Sequence, residues 1–314
     1  MTRSIFLAAV ATLASASAFA QGSITIYGRM NASVENIDRN GVSTTELVNS
    51  SSRIGFKGTE DLGGGLTAGF QLEHGVSVDT GAATHGNQFW ARQSEVFLGS
   101  EGFGTLRLGN YTSEAYYATA DWVSMHNHDT GTSADMLYAY IGRNTNKVGY
   151  RSPSFGGVTI DAAASLGEGA AGQERSHDLA LNYNTDTLHI GAGYEDNGDA
   201  NQFAVSALYT MGPFTFGGYV QRDEDGLAAN AGNRTNVRLV GMYAVGVSEF
   251  HLNVGHADSY DNIANSDATQ FTLAYNHNLS KRTKLYAFYT ELNNDGPVYG
   301  GDFRSIAAGI RHNF

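Results

Sequence analysis

Apolar and polar residues alternate one by one along most of this chain. Between positions 23 and 35, Ile24, Ile26, Gly28, Met30, Ala32 and Val34 fall on one face, and Thr25, Tyr27, Arg29, Asn31, Ser33 and Glu35 fall on the other. In 187–195, Leu188, Ile190, Ala192 and Tyr194 oppose His189, Gly191, Gly193 and Glu195. A period of two is the signature of a β-strand with two unlike faces. Sixteen such segments are predicted, at 23–35, 50–59, 66–76, 89–100, 104–111, 144–152, 158–166, 176–184, 187–195, 201–210, 214–223, 234–244, 248–257, 267–277, 284–291 and 303–314.

Alternation alone also suits a soluble β-sandwich. The connections favour a membrane barrel. Short ones fall at Glu60–Gly65, Glu101–Phe103, Pro153–Gly157, Thr185–Asp186, Met211–Pro213, Val245–Val247 and Leu279–Thr283, with longer polar ones between them. Short turns at one end and long loops at the other belong to outer-membrane barrels. The chain also stops on a strand, with Phe314 last, where a soluble domain more often ends in a frayed polar tail. A sheet edge in hydrocarbon leaves backbone groups unpaired at several kcal/mol each, so the first and last strands should pair.

The N-terminus carries its own signal. Arg3, the apolar stretch Ile5 to Leu13 and the small-residue site Ala18-Phe19-Ala20 predict a cleaved secretory peptide at 1–20 and one mature barrel domain at 21–314. Composition agrees with export and with strands: 39 Gly, 17 Tyr, 16 Phe, three Pro and no Cys. No other stretch approaches a transmembrane helix. Without Arg3 the chain has 18 basic and 31 acidic residues, a charge of −13 that argues against nucleic-acid binding. That charge does not fix pore selectivity, because it can sit in outer loops.

Particular segments then resemble a known family. Ser51-Ser52-Arg53-Ile54-Gly55-Phe56-Lys57-Gly58-Thr59-Glu60-Asp61-Leu62-Gly63-Gly64-Gly65-Leu66 resembles a signature of the general porins of β-proteobacteria, which include the neisserial and Burkholderia-type proteins. Ile24-Thr25-Ile26-Tyr27-Gly28, Gly102 to Gly109, Tyr150 to Gly157 and the end Gly309 to Phe314 resemble the same family, so the likeness spans the mature chain. It implies an all-β, sixteen-stranded antiparallel transmembrane barrel, homotrimeric, with a long third loop folded into the lumen. It further implies a water-filled outer-membrane channel for passive diffusion of ions and small hydrophilic solutes, in contact with outer-membrane lipid and lipopolysaccharide. The third loop corresponds to Thr112–Arg143, whose 32 residues set it apart by length alone, since loops above about 12–15 residues are usually functional or disordered. Asn31 stands where family members often carry an acid, and Asn313 where a base is common.

Parity points several bases inward: Arg29, Arg53, Lys57, Arg107, Lys147, Arg151, Arg238 and Arg311 oppose the apolar face of their strands. A charge facing lipid near mid-membrane would cost about 2–4 kcal/mol. Arg92 shares parity with Val96 and Leu98 and is included by resemblance. The expected constriction therefore has Arg29, Arg53, Arg92, Arg107 and Arg151 on a basic wall and Glu114 and Asp121 as loop acids, with Asp129 and Asp135 as further loop carboxylates.

The His126-Asn127-His128-Asp129 run has metal-like residues, but its spacing fits no metal motif, and no metal site is expected. No cofactor is expected either, although the acidic stretches Asp196–Asn201 and Asp223–Asp225 could bind a structural calcium ion through oxygens. A substrate-selective channel or surface adhesin is the alternative, suggested by Tyr116, Tyr117, Trp122, Tyr138 and Tyr140 in the long loop. An outer-membrane hydrolase is the remote one: no Ser or Asp stands beside a His in a recognisable catalytic motif.

Overall fold

The computed structural model describes residues 22–126, 135–142, 144–168 and 175–314. The expected export peptide, Asp129 and the last position of the expected loop, Arg143, lie outside the described residues.

Seventeen strand segments follow one another: β1 (Ser23–Arg39), β2 (Val42–Asn49), β3 (Arg53–Gly63), β4 (Leu66–Gly75), β5 (Gln93–Ser100), β6 (Gly104–Asn110), β7 (Lys147–Arg151), β8 (Val158–Ser165), β9 (Ser176–Asn184), β10 (Leu188–Asp196), β11 (Asn201–Met211), β12 (Phe214–Glu224), β13 (Asn233–Val245), β14 (Ser248–Ala257), β15 (Ala268–Asn278), β16 (Thr283–Asn294) and β17 (Phe303–Asn313). Among the described residues, one short helix, α1 (Glu114–Thr119), interrupts the order between β6 and β7. β2 and β3 share a barrel position. β2 pairs with Ala32–Arg39 of β1, and β3 pairs with Ser23–Arg29 of the same strand. The result is a closed antiparallel barrel of sixteen positions.

Closure runs from Arg29↔Asn313 to Arg39↔Phe303. It is completed by a reciprocal pair in which Gly28 N donates to Phe314 O at 3.0 Å and Phe314 N to Gly28 O at 3.1 Å. The terminal residue is thus part of the ladder.

Two sequence expectations need correction. The first strand was expected to end at residue 35 and the next to begin at 50, with a loop between. Instead both strands run on to a two-residue turn at Asn40-Gly41. Both residues have positive φ, 55° and 82°, as a type I′ hairpin requires, and Asn-Gly is the pair that tolerates it best. The strand expected from residue 89 begins only at Gln93. Phe89 and Trp90 leave the ladder to pack edge to face at 4.8 Å, beside His74 and Phe56.

The burial pattern is inverted relative to a soluble protein. On β13, Leu239 is 65% exposed while its neighbour Arg238 is fully buried. Ile24, Val34, Val96, Phe203, Val220, Leu273 and Ile306 are likewise exposed, whereas Asn236, Asn253, Gln270 and Thr272 are buried. A contiguous apolar exterior is stable only against hydrocarbon. Replacing Leu239 by Arg should therefore lower the unfolding free energy in lipid vesicles by about 2–4 kcal/mol. Urea titration of the folded, heat-modifiable form measures it, and an unchanged midpoint would show that this face does not meet lipid.

Candidate functional site

The segment after β6 lies against inward-facing side chains. Tyr111, fully buried, takes the guanidinium of Arg107 over its ring at 4.0 Å and the ammonium of Lys147 at 4.7 Å. Ser113 caps α1 by accepting from Tyr116 N. The next free backbone donors, Glu114 N and Ala115 N, reach the Asp178 carboxylate on β9 at 2.7 and 2.9 Å. A carboxylate there also suits the positive end of the helix. Two glycines of β10 let α1 come this close: a Cβ on Gly193 would stand 2.7 Å from Ala115 Cα, and one on Gly191 would overlap the Ala118 carbonyl.

Beneath α1 the charges are matched. Glu114 accepts from Arg107 and, at 3.0 Å, from Arg151. Arg107 also donates to Glu95 at 2.8 Å, Arg151 to Asp161 at 2.5 Å, and Lys147 to Asp178 at 2.9 Å. Burial raises the Glu114 carboxyl above the usual glutamate range, and the two arginines offset part of that rise.

The returning limb, Asp135 to Gly142, is irregular backbone served by the wall. Gln221 accepts from Ala139 N and donates to Ala139 O, both at 2.9 Å. Gln270 accepts from Met136 N at 3.1 Å, and Arg234 donates to Leu137 O at 2.9 Å. Asp135 holds Arg238 at 2.8 Å and accepts from Tyr219. Tyr138 meets both Thr119 and Gln202 through its hydroxyl.

A cavity of about 500 Å³ stays open beside this segment. Arg53, Gln71, Glu73, Arg92 and Gln93 line one side, and Tyr116, Tyr117, Asp121, Asp135, Tyr138 and Tyr140 the other. Arg92 Nε lies 2.7 Å from Glu73 and Arg53 Nε 3.6 Å from the same oxygen. Arg92 precedes β5, so strand parity does not govern it, which removes the conflict seen in the sequence.

The residues expected to share one constriction fall into three places. Arg53, Arg92 and Asp121 surround the open cavity. Arg107, Arg151 and Glu114 form the cluster under α1. Arg29 stands opposite Arg53 in register and donates to Asn313 Oδ1 at 3.1 Å. Sequence reasoning missed Glu73, Asp178, Gln202, Gln221 and Gln270. Their one signal is a polar residue at an inward position, which many residues share. His126 packs against His251 at 5.3 Å, Phe288 at 5.9 Å and Tyr286 at 6.4 Å, while His128 lies outside the described residues. Among the acidic stretches, Asp223 is bound by Arg234 and Tyr260, and Asn197 turns its side chain onto its own loop and Ile141 O. No group of three or more His, Asp or Glu converges as a metal site among the described residues.

Residues 7–297 match the family model described as Gram-negative porin. The chain belongs to the Gram-negative porin family. Outer membrane porin protein 32 of Delftia acidovorans is 30% identical to this porin, over 98% of this chain and 99% of its own. The solved structure of an anion-selective porin from Comamonas acidovorans superposes with a TM-score of 0.77 at 26% identity, covering 94% of this chain and 100% of that one. The OmpT outer membrane protein of Vibrio cholerae, in its trimer form, shares the fold with a TM-score of 0.71 at 15% identity, over 93% and 99% of the two chains. The porin is a channel of the bacterial outer membrane.

His126, midway along the porin's long loop, packs against β14 and β16, and it does so as a neutral ring. Burial, then His251, Lys284 and Arg311 nearby, hold its pKa well below 6.5. A depressed histidine favours the docked state fully above pH 6.5, and that contribution is lost as the pH falls from there through the lowered value. Hydrogen-exchange protection of residues 120–126, corrected for intrinsic rate, should therefore decline with acidification in that window. It should do so much less in His126→Phe; equal decline in both would remove His126 as the cause.

Proposed function

We propose that this porin is a passive, non-catalytic diffusion channel for small hydrophilic solutes with a preference for anions, working as a homotrimer among outer-membrane lipid and lipopolysaccharide. The long loop folds into the lumen and narrows it. Arg29, Arg53 and Arg92 form the basic wall, and Asp121 faces them from the loop. Arg107, Arg151 and Glu114 hold the loop to the barrel and touch passing ions less. Diffusion of this kind needs neither cofactor nor metal.

The observation that carries this reading is the cavity between Arg53 and Arg92 and the loop. Two guanidiniums there approach the same carboxylate, Glu73. Across from them stand tyrosine rings and Asp121. Opposed charges across a narrow, wet gap impose a transverse field that orients polar solutes, while apolar ones must displace ordered water. The similar porin from Comamonas acidovorans is anion-selective, which supports the sign of the preference. Tyr116, Tyr117, Tyr138 and Tyr140 on one wall keep a second reading open, a solute-selective channel. Single-channel conductance titrated with sugars and organic acids separates the two, because a general pore stays ohmic.

Arg53→Gln with Arg92→Gln should shift the reversal potential in a salt gradient toward cations, lowering the anion-to-cation permeability ratio several-fold. An unchanged reversal potential in planar bilayers overturns the assignment of these two arginines. Arg107→Gln should act differently. Breaking a buried ion pair costs on the order of 3 kcal/mol, so it should loosen the loop, raising current noise and protease sensitivity, with a smaller selectivity change.

A further inference from the structure

The strand register aligns bases around the lumen. Arg53 stands opposite Arg29 across β3 and β1. Arg311 stands opposite Asn31, two residues on from Arg29 and on the same inward face of β1. Lys284 stands opposite Arg311 across β17 and β16. Four adjacent barrel positions thus each present a cation, linked strand to strand by the register. Strands lie about 4.8 Å apart, and like charges directly opposite on neighbouring strands are destabilising.

The Lys284–Arg311 end of this row opens on its own cavity of about 580 Å³, distinct from the one beside the loop. It lies at the barrel end that carries the short turns, which in outer-membrane barrels faces the periplasm. Lys284, Arg311, Asn278 and Asn313 line it, with Lys281 and Arg282 on the exposed turn at its rim. Arg29 is tied to it through Asn313. Glu249 is the carboxylate of the cavity; it lies 3.5 Å from Lys284 and accepts from Asn276 and Asn278 at 2.9 and 2.7 Å. Among the described residues, the cavity's lining therefore sets Glu249 against Lys284, Arg311, Lys281 and Arg282.

We propose that this cavity is a saturable site for small dianions, inorganic hydrogen phosphate or a short dicarboxylate, held by Lys284 and Arg311 with Arg29 in support. A monovalent anion can offset one of the opposed charges. A dianion spans two neighbouring strands and relieves both at once, with a guanidinium offering a fork of donors and the ammonium a compact charge. Asn278 and Asn313 add neutral donors. The two cavities share no lining residue; Arg29 is the one base assigned to both, so variants of Lys284 and Arg311 test this site apart from the anion-preferring constriction.

The test uses the full-length porin in planar bilayers at fixed ionic strength. Inorganic phosphate at pH 8, succinate and formate are added in turn to the side carrying the short turns. Phosphate and succinate should reduce the chloride current along a saturating curve, and formate should not. Lys284→Gln with Arg311→Gln should raise the half-blocking concentration at least tenfold, while Arg53→Gln with Arg92→Gln leaves it within twofold. Block by only one dianion assigns the site to that chemistry. Equal block by formate, or the same half-blocking concentration in a folded Lys284→Gln/Arg311→Gln porin, overturns the proposal. If the double variant fails to fold, Lys284→Gln alone must raise the value at least threefold, and Lys284→Arg must restore it; failure of either also overturns it.

Discussion

Backbone hydrogen bonding in a medium without water is the constraint on which the rest of this molecule depends. Each N–H and C=O in the hydrocarbon layer must find a protein partner. One sheet meets that demand only by closing, and here closure extends to the last residue, where Phe314 and Gly28 exchange both of their backbone bonds. β1 is 17 residues long because it serves three partners, β17, β2 and β3. Once the sheet is closed, its outward positions must be apolar and its inward ones are free to be polar. The buried Gln, Asn and Arg of β11–β15 follow from that freedom.

The same polar interior solves a second backbone problem. Residues 135–142 lie against the wall without a helix or a ladder to satisfy them. Gln221, Gln270 and Arg234 supply the missing partners from the strands, as buried backbone polar groups require. The bases of the lumen consequently divide by their surroundings. Arg107, Lys147, Arg151, Arg234 and Arg238 each meet a carboxylate at 3.0 Å or less and fix structure. Arg53 and Arg92 share one carboxylate, and Lys284 and Arg311 face each other across a strand pair. Each of these two pairs sets two bases close together beside an open cavity.

Periodicity carried most of the fold. Alternation of one residue in two names the face of every strand, and its breaks name the turns. It failed where local chemistry, not alternation, decided the path. Asn40-Gly41 is a strong hairpin signal that lies where alternation breaks off, and Phe89-Trp90 continues the strand pattern while leaving the ladder for aromatic packing. The site was less legible for a different reason. Parity tells inward from outward but gives neither angle around the barrel nor depth along it. Arg29, Arg53, Arg92, Arg107 and Arg151 are alike in the sequence, yet they occupy three environments in space. Glu114 reads as a loop acid, and its contacts with Arg107 and with Arg151, 37 positions away, fix it against the barrel wall.

Net charge misleads for a related reason. The chain carries −12 overall, yet the inner wall from β3 through β1 to β16 is lined with bases. The surplus acid sits elsewhere: Asp199, Asp258, Asp261, Asp267 and Asp295 are exposed on the connections at the far end from Lys281 and Arg282. At physiological ionic strength exposed charges are screened over about 8 Å, so those loops weakly affect an ion already inside. Charges set in a narrow lumen between low-dielectric walls are screened far less and focus their field on the axis. A permeating ion therefore responds to a few side chains near it. An acidic protein and an anion-preferring passage are physically compatible.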